Sequence, residues 1–191
     1  MKHEKALPLV VFRHRLRMAA LPREQARAWL VGGALFFALR SCKYLFVGIE
    51  ERKTRPTRAC DVVFRDGHRV IPHDNPTLHL ADTVSIDFGD QKSNIRDEIV
   101  TQENNHRDDL NSVILSAKTI SRLRSCPQYS DKRELFTFFD GKSFSKIRSS
   151  EVLIDLRCSI DAIGKDKLGF TSNDVGTYSV QASLAMMMYP A

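Results

Sequence analysis

Arg13, Arg15, Arg17, Arg23 and Arg27 fall within fifteen residues of one another. A run of guanidiniums this dense is chemistry for a polyanion, because each is permanently charged and clamps phosphate oxygens in a fixed fork. Alternate placement of Arg13, Arg15 and Arg17 would let them track a phosphate backbone; the plain alternative is a solvated face. Farther along, Arg40 stands inside an apolar stretch, where a charge needs a partner or an exit to water. Lys92 stands in the polar turn Asp90-Gln91-Lys92-Ser93-Asn94, where a solvated lysine is the plain reading. Tyr178 and Tyr189 are chemically able nucleophiles, although packing also explains each of them. His68, His73 and His79 lie within twelve residues and invite a metal reading. Pro72 and Pro76 put them in a loop, and Cys60 is the one Cys near, with acids such as Asp74 and Asp82 but no ligand spacing of a metal motif, which argues against a metal centre. Cys42, Cys60, Cys126 and Cys158 show no CxxC spacing, so neither a zinc site nor a disulfide framework is expected.

The charge around these residues is unevenly distributed. Residues 1–60 hold 13 Lys/Arg against 4 Asp/Glu, a balance of +9, which leaves 16 against 19, or −3, for the rest of a chain whose net charge is +6. The basic half points to nucleic acid first and to an acidic membrane surface second. Hydrophobic residues at 42% and charged residues at 27% exclude a disordered chain and a membrane protein as the natural reading. The longest apolar stretch, from Ala28 to Val47, is interrupted by Arg40 and Lys43, so it reads as a core helix rather than a membrane span. The N-terminal apolar run is short and followed at once by Arg and His, a poor secretory signal. A nuclear or cytoplasmic location is expected.

The elements that must position these residues follow from periodicity. Residues 1–22 read as a basic arm ending at Leu21-Pro22, and one helix is expected from Arg23 to Val47. From Cys60 to Thr101 the texture changes to short β-branched runs, with Asp66-Gly67 as a hairpin signal and Val84, Ile86 and Phe88 in strand alternation. Helical spacing resumes from Leu110 to Leu123 and stops before Cys126-Pro127. Ser149 and Ser150 are expected to cap a helix that Gly164 ends, and a last helix is expected to begin near Tyr178, with Met186, Met187 and Met188 on its apolar face. The expected fold is α+β, mainly helical, with a small antiparallel β-sheet insert.

Three segments in this order resemble the catalytic domain of the DNA tyrosine recombinases, the phage-integrase-like enzymes, especially those of eukaryotic mobile elements. GALFFALRSCKYL, residues 33–45, looks like the helix with the family's first catalytic Arg, which is Arg40 by this match. VSIDFGDQKSNIRDEIVTQ, residues 84–102, is similar to the hairpin carrying the catalytic Lys, here Lys92. DKLGFTSNDVGTYSVQASLAM, residues 166–186, looks like the segment reading Gly-Thr-His-Ser-x-Arg in the family, with Tyr178 in place of the His and Gln181 in place of the second Arg. The resemblance spans residues 23–191. Two smaller departures are Lys43, where the family often has Glu, and Asn111-Ser112, where these relatives tend to have Cys-Pro.

The resemblance implies DNA strand cleavage by a tyrosine hydroxyl, with two arginines on the nonbridging oxygens, a lysine near the leaving oxygen and no metal or other cofactor. Gln181 is neutral and cannot supply the second guanidinium, and removing one preorganised donor of this kind typically costs about 10²- to 10³-fold in rate. The chain stops at Ala191, 13 residues past Tyr178, ahead of the family's later His or Trp and its nucleophilic Tyr. The expectation is therefore a degenerate recombinase-like domain related to DNA recombination and integration, retaining DNA binding at most. A noncatalytic module that docks on full-length recombinases through its last helix is the alternative, and an active strand-transferase using a Tyr supplied in trans ranks below both.

Overall fold

The computed structural model describes residues 4–48, 55–88, 99–106, 109–176 and 178–188, the last five for their backbone alone. Seven α-helices are described: α1 Leu9–Met18, α2 Pro22–Phe36, α3 Ser41–Tyr44, α4 Ser112–Arg124, α5 Ser149–Ile163, α6 Lys165–Leu168 and α7 Ser179–Met188. The strands are β1 Val62–Asp66, β2 Arg69–Ile71, β3 Thr83–Asp87, β4 Ile99–Glu103, β5 Thr137–Phe139 and β6 Phe144–Lys146. The fold is α+β, with helices around a small antiparallel sheet. No helix among the described residues is long and apolar enough to cross a membrane.

β1 to β4 form one antiparallel sheet in the order β2-β1-β3-β4. Asp66 pairs with Arg69, so the hairpin loop is Gly67-His68; Gly67 has φ +53°, a conformation that glycine adopts without steric cost. Val84, Ile86 and Phe88 are buried as their alternation predicts. Ser85 is buried too, because its hydroxyl is bridged across the other face by Arg65 Nη1 at 2.9 Å and Thr101 Oγ1 at 2.8 Å. At the far edge Asn111 joins sheet to helix. Its side-chain carbonyl accepts from Val113 N at 2.9 Å and Ile114 N at 3.1 Å, capping α4, while its amide donates to Asn104 Oδ1 at 2.6 Å and Asn105 Oδ1 at 2.7 Å. An Asn at this position thus has a structural reason.

α4 packs against α2. A Cβ on Gly32 would lie 2.8 Å from Cδ1 of the buried Leu115, so the glycine is what allows the two helices to approach this closely. Phe12 of α1, Leu35 of α2, Tyr44 of α3, Phe64 of β1, and Phe136 and Ile147 beside β5 and β6 are all below 2% exposed in one continuous core.

Four sequence expectations change. The single helix expected over 23–47 ends at Phe36: Ala38 takes φ +48°, Leu39 N donates to Ala34 O at 3.1 Å and Ala38 N to Leu35 O at 3.3 Å. This is a Schellman closure with alanine at the left-handed position, and it lets Phe37, Leu39, Tyr44 and Leu45 all reach the core. The segment expected as a basic arm is instead packed, since Leu7, Val11 and Phe12 belong to that same core. The cap of α5 is Arg148, with Glu151 Oε2 accepting its backbone N–H at 2.8 Å, so Ser149 and Ser150 are the first helical residues. A second, two-stranded sheet of β5 and β6 was not anticipated. Its signal was available: Asp140-Gly141 lies between Phe-rich runs, and Asp140 Oδ1 accepts from Lys142 N and Ser143 N at 2.8 Å each.

Alanine in the left-handed region carries a steric cost that glycine avoids. Ala38→Gly is expected to raise unfolding free energy by about 0.5–1 kcal/mol after the greater freedom of the unfolded chain is subtracted. Urea denaturation measures this, and a lower midpoint in the variant would contradict the assigned closure.

Candidate nucleic-acid interface

The first turn of α7 is held from the opposite end of the chain. Lys5 N donates to Asp174 O at 2.9 Å, Leu7 N to Ser183 Oγ at 2.7 Å and Tyr178 N to Glu4 Oε2 at 2.7 Å. From α5, Arg157 Nη2 donates to Val175 O at 2.9 Å. Ser179, Val180 and Ser183 form the inward face of α7, and Ser183 Oγ donates to Ser179 O at 2.6 Å, which satisfies the buried hydroxyl.

Tyr178 and Gln181, three residues apart and so on one side of the helix, are left outside this buried face. Tyr178 is 66% exposed and Gln181 half-buried. Among the described residues nothing hydrogen-bonds to the Tyr178 hydroxyl, so no base is placed to take its proton. Tyr44 is buried, and burial pushes its hydroxyl well above the ordinary value, while burial also raises Tyr129. Tyr189 and Lys92 lie outside the described residues.

Arg40 occupies the N-cap position of α3, where its carbonyl accepts from Lys43 N at 2.8 Å. Its side chain is exposed and has no carboxylate partner among the described residues. No hydrogen bond or ion pair among the described residues links Arg40 to Tyr178 or Gln181, which hang from a different helix. Lys43, by contrast, turns inward and donates through Nζ to Arg55 O at 3.3 Å and Phe88 O at 3.4 Å, tying α3 to the end of β3.

Two cations that the sequence reading missed lie beside the α3 segment. Phe46 N donates to Ile147 O at 2.9 Å and Ser149 N to Phe46 O at 3.1 Å, pairing Phe46 with Arg148. Lys146 Nζ sits 4.5 Å from the centre of the Phe46 ring. Lys146 and Arg148 are both exposed, and the alternation in GKSFSKIR was the available sign of them. Glu151, which accepts the Arg148 backbone N–H, is already engaged by the Arg23 side chain.

The N-terminal arginines behave differently. Because α1 is helical, Arg15 points away from the side that Arg13 and Arg17 share, so the three cannot line one backbone together. Arg13 pairs with Asp109 at 2.6 Å and Arg15 with Asp155 at 2.9 Å. Arg27 grips Asp155 through Nε at 2.5 Å and Nη2 at 3.1 Å, and Arg23 grips Glu151 with two bonds of 3.0 Å. Of the five, Arg17 alone is exposed without a carboxylate partner among the described residues.

Among the described residues no group of three or more His, Cys, Asp or Glu is placed to hold a metal ion, and His73 Nε2 instead lies 2.7 Å from Val62 O. Compared with protein-family models, curated proteins and solved structures, the chain matches none.

The Arg23–Glu151 pairing has a pH signature. Burial raises the Glu151 carboxyl, but the bonds from Arg23 and from the Arg148 N–H, together with the nearby Arg27 charge, outweigh it and hold the pKa below its ordinary 4.5. A depressed carboxylate contributes stability that is complete above 4.5 and lost as pH falls through the folded value. Glu151→Gln is therefore expected to lower the urea midpoint at neutral pH and to flatten its decline below 4.5. Parallel profiles in the two proteins would contradict this.

Proposed function

We propose that this protein is a tyrosine-recombinase-like domain that grips a DNA backbone without cutting it. The observation that carries the reading is the exposed Arg40, free of any carboxylate among the described residues, six residues ahead of Phe46, against which the exposed Lys146 and Arg148 lie. Cations in this state can neutralise phosphates at no cost in broken ion pairs, unlike Arg15, Arg23 and Arg27. The order of elements supports the same reading: a helix ending four residues before Arg40, an antiparallel sheet, two long helices, then a helix beginning at Ser179.

The catalytic half of the resemblance is lost through chemistry. Strand cleavage concentrates negative charge on the nonbridging oxygens, and a second guanidinium beside Arg40 would offset it. Gln181 offers an uncharged amide instead, and Tyr178 puts a phenol where the family has an imidazole with its two ring nitrogens. The interface thus keeps a phosphate contact and loses the transition-state contacts.

Binding of a labelled duplex should fall steeply with salt, and each of Arg40→Ala and the double variant of Lys146→Ala and Arg148→Ala should flatten the log–log slope by about one unit per cation removed. No binding at low salt, or slopes unchanged in both variants, would sink the proposal. A nicked suicide duplex should trap no covalent adduct; an adduct that disappears in Tyr178→Phe would overturn the noncatalytic assignment.

A further inference from the structure

A separate cleft of about 410 Å³ opens between α2 and α4. Pro22, Gln25 and Trp29 form the α2 wall at helical spacing i, i+3 and i+7. Lys118, Ser121 and Arg122 of α4 and its C-cap Ser125 form the opposite wall at i, i+3, i+4 and i+7, and Cys126 with Phe138 and Phe139 of β5 completes the lining. No aspartate or glutamate lines it. The volume falls in the range of small-molecule sites.

The charge in this cleft is uncompensated. Arg122 donates to the carbonyls of Thr137 and Leu135, the latter at 2.8 Å, and no carboxylate pairs with it among the described residues. Its Nε is buried with no partner. Burial pulls its pKa down to about 10, so it stays protonated at neutral pH and retains an unneutralised charge at the cleft wall. Lys118 is exposed, 5.9 Å from the centre of the half-buried Trp29 ring. α4 contains no acidic residue from Ser112 to Arg124.

Two cations, the Ser121 hydroxyl and an aromatic wall in one cleft select a ligand that is anionic at one end and a flat π-system at the other, while the Ser125 hydroxyl is already donated to Arg122 O at 2.8 Å. We propose that this cleft binds a nucleoside phosphate, with the phosphate on Lys118 and Ser121 and the base against Trp29 and Phe139. Stacking of a base on an aromatic side chain is tolerant of base identity, whereas the phosphate contacts are charge-assisted. The ligand can be a free nucleotide or the unpaired terminal nucleotide of a strand. This site is separate from Arg40 and does not rest on the reading given to that residue.

Trp29 is the single tryptophan of the chain, so its fluorescence, excited at the red edge of its absorption, reports on the cleft. Thymidine monophosphate should quench it saturably, with clearly weaker responses to uncharged thymidine and to inorganic phosphate. Lys118→Glu, at an exposed position, should weaken binding about tenfold or more, as should Ser121→Glu, while Arg40→Ala leaves it unchanged. Tighter binding of a 5′-phosphorylated oligothymidylate would assign the site to a strand end, and equal binding to a free nucleotide. Absence of saturable quenching, equal responses to thymidine or phosphate alone, or retained affinity in both charge-reversal variants would each overturn the assignment.

Discussion

Glu151 and Asp155, one turn apart on α5, hold three arginines from two other helices, and the placement of the N-terminal region depends on that arrangement. Arg15 comes from α1, and Arg23 and Arg27 from α2. Arg15 is only 8% exposed, a position tolerable for a guanidinium only beside a fixed carboxylate. Two bidentate grips fix orientation as well as distance, because both partners are planar forks. With α1 and α2 pinned to α5, the preceding residues reach Asp174, Tyr178 and Ser183 and determine where α7 begins.

This interaction also changes what the net charge means. The excess of +9 in residues 1–60 looks like a polyanion-binding arm, yet much of it is consumed by carboxylates from the acidic later part of the chain. Among the described residues, the cations that this pairing leaves over include Arg17, Arg40, Lys146 and Arg148, and Lys118 with Arg122 at the cleft. A sum over the sequence cannot distinguish a spent cation from a free one, because the distinction lies in which carboxylate reaches it across a sequence separation of more than 120 residues.

The helix ending before Arg40 illustrates the same limit at the level of the backbone. Local propensity favoured continuing past Phe36, since Ala38, Leu39 and Arg40 are good helix formers. The burial of Phe37, Leu39, Tyr44 and Leu45 together outweighs the strain of one left-handed alanine, and a straight helix would not bring all four to the core. The turn then presents Arg40 to solvent, while Lys43 points inward to backbone carbonyls. Lys43 is thus a buried strut between α3 and the end of β3.

From the sequence alone came the α+β class, the β1–β2 hairpin at Asp66-Gly67, the extents of α4 and α5 to within a few residues and the start of α7 near Tyr178. Each of these rests on short-range physics: side-chain periodicity, turn stereochemistry and glycine stops act over a few residues and so are written locally. Tertiary structure alone decided that the N-terminal segment packs, that α2 stops at Phe36, that β5 and β6 pair, and which cations remain free. Those outcomes depend on burial and on ion pairs between distant segments, and their energies exist only once the chain has brought the partners together.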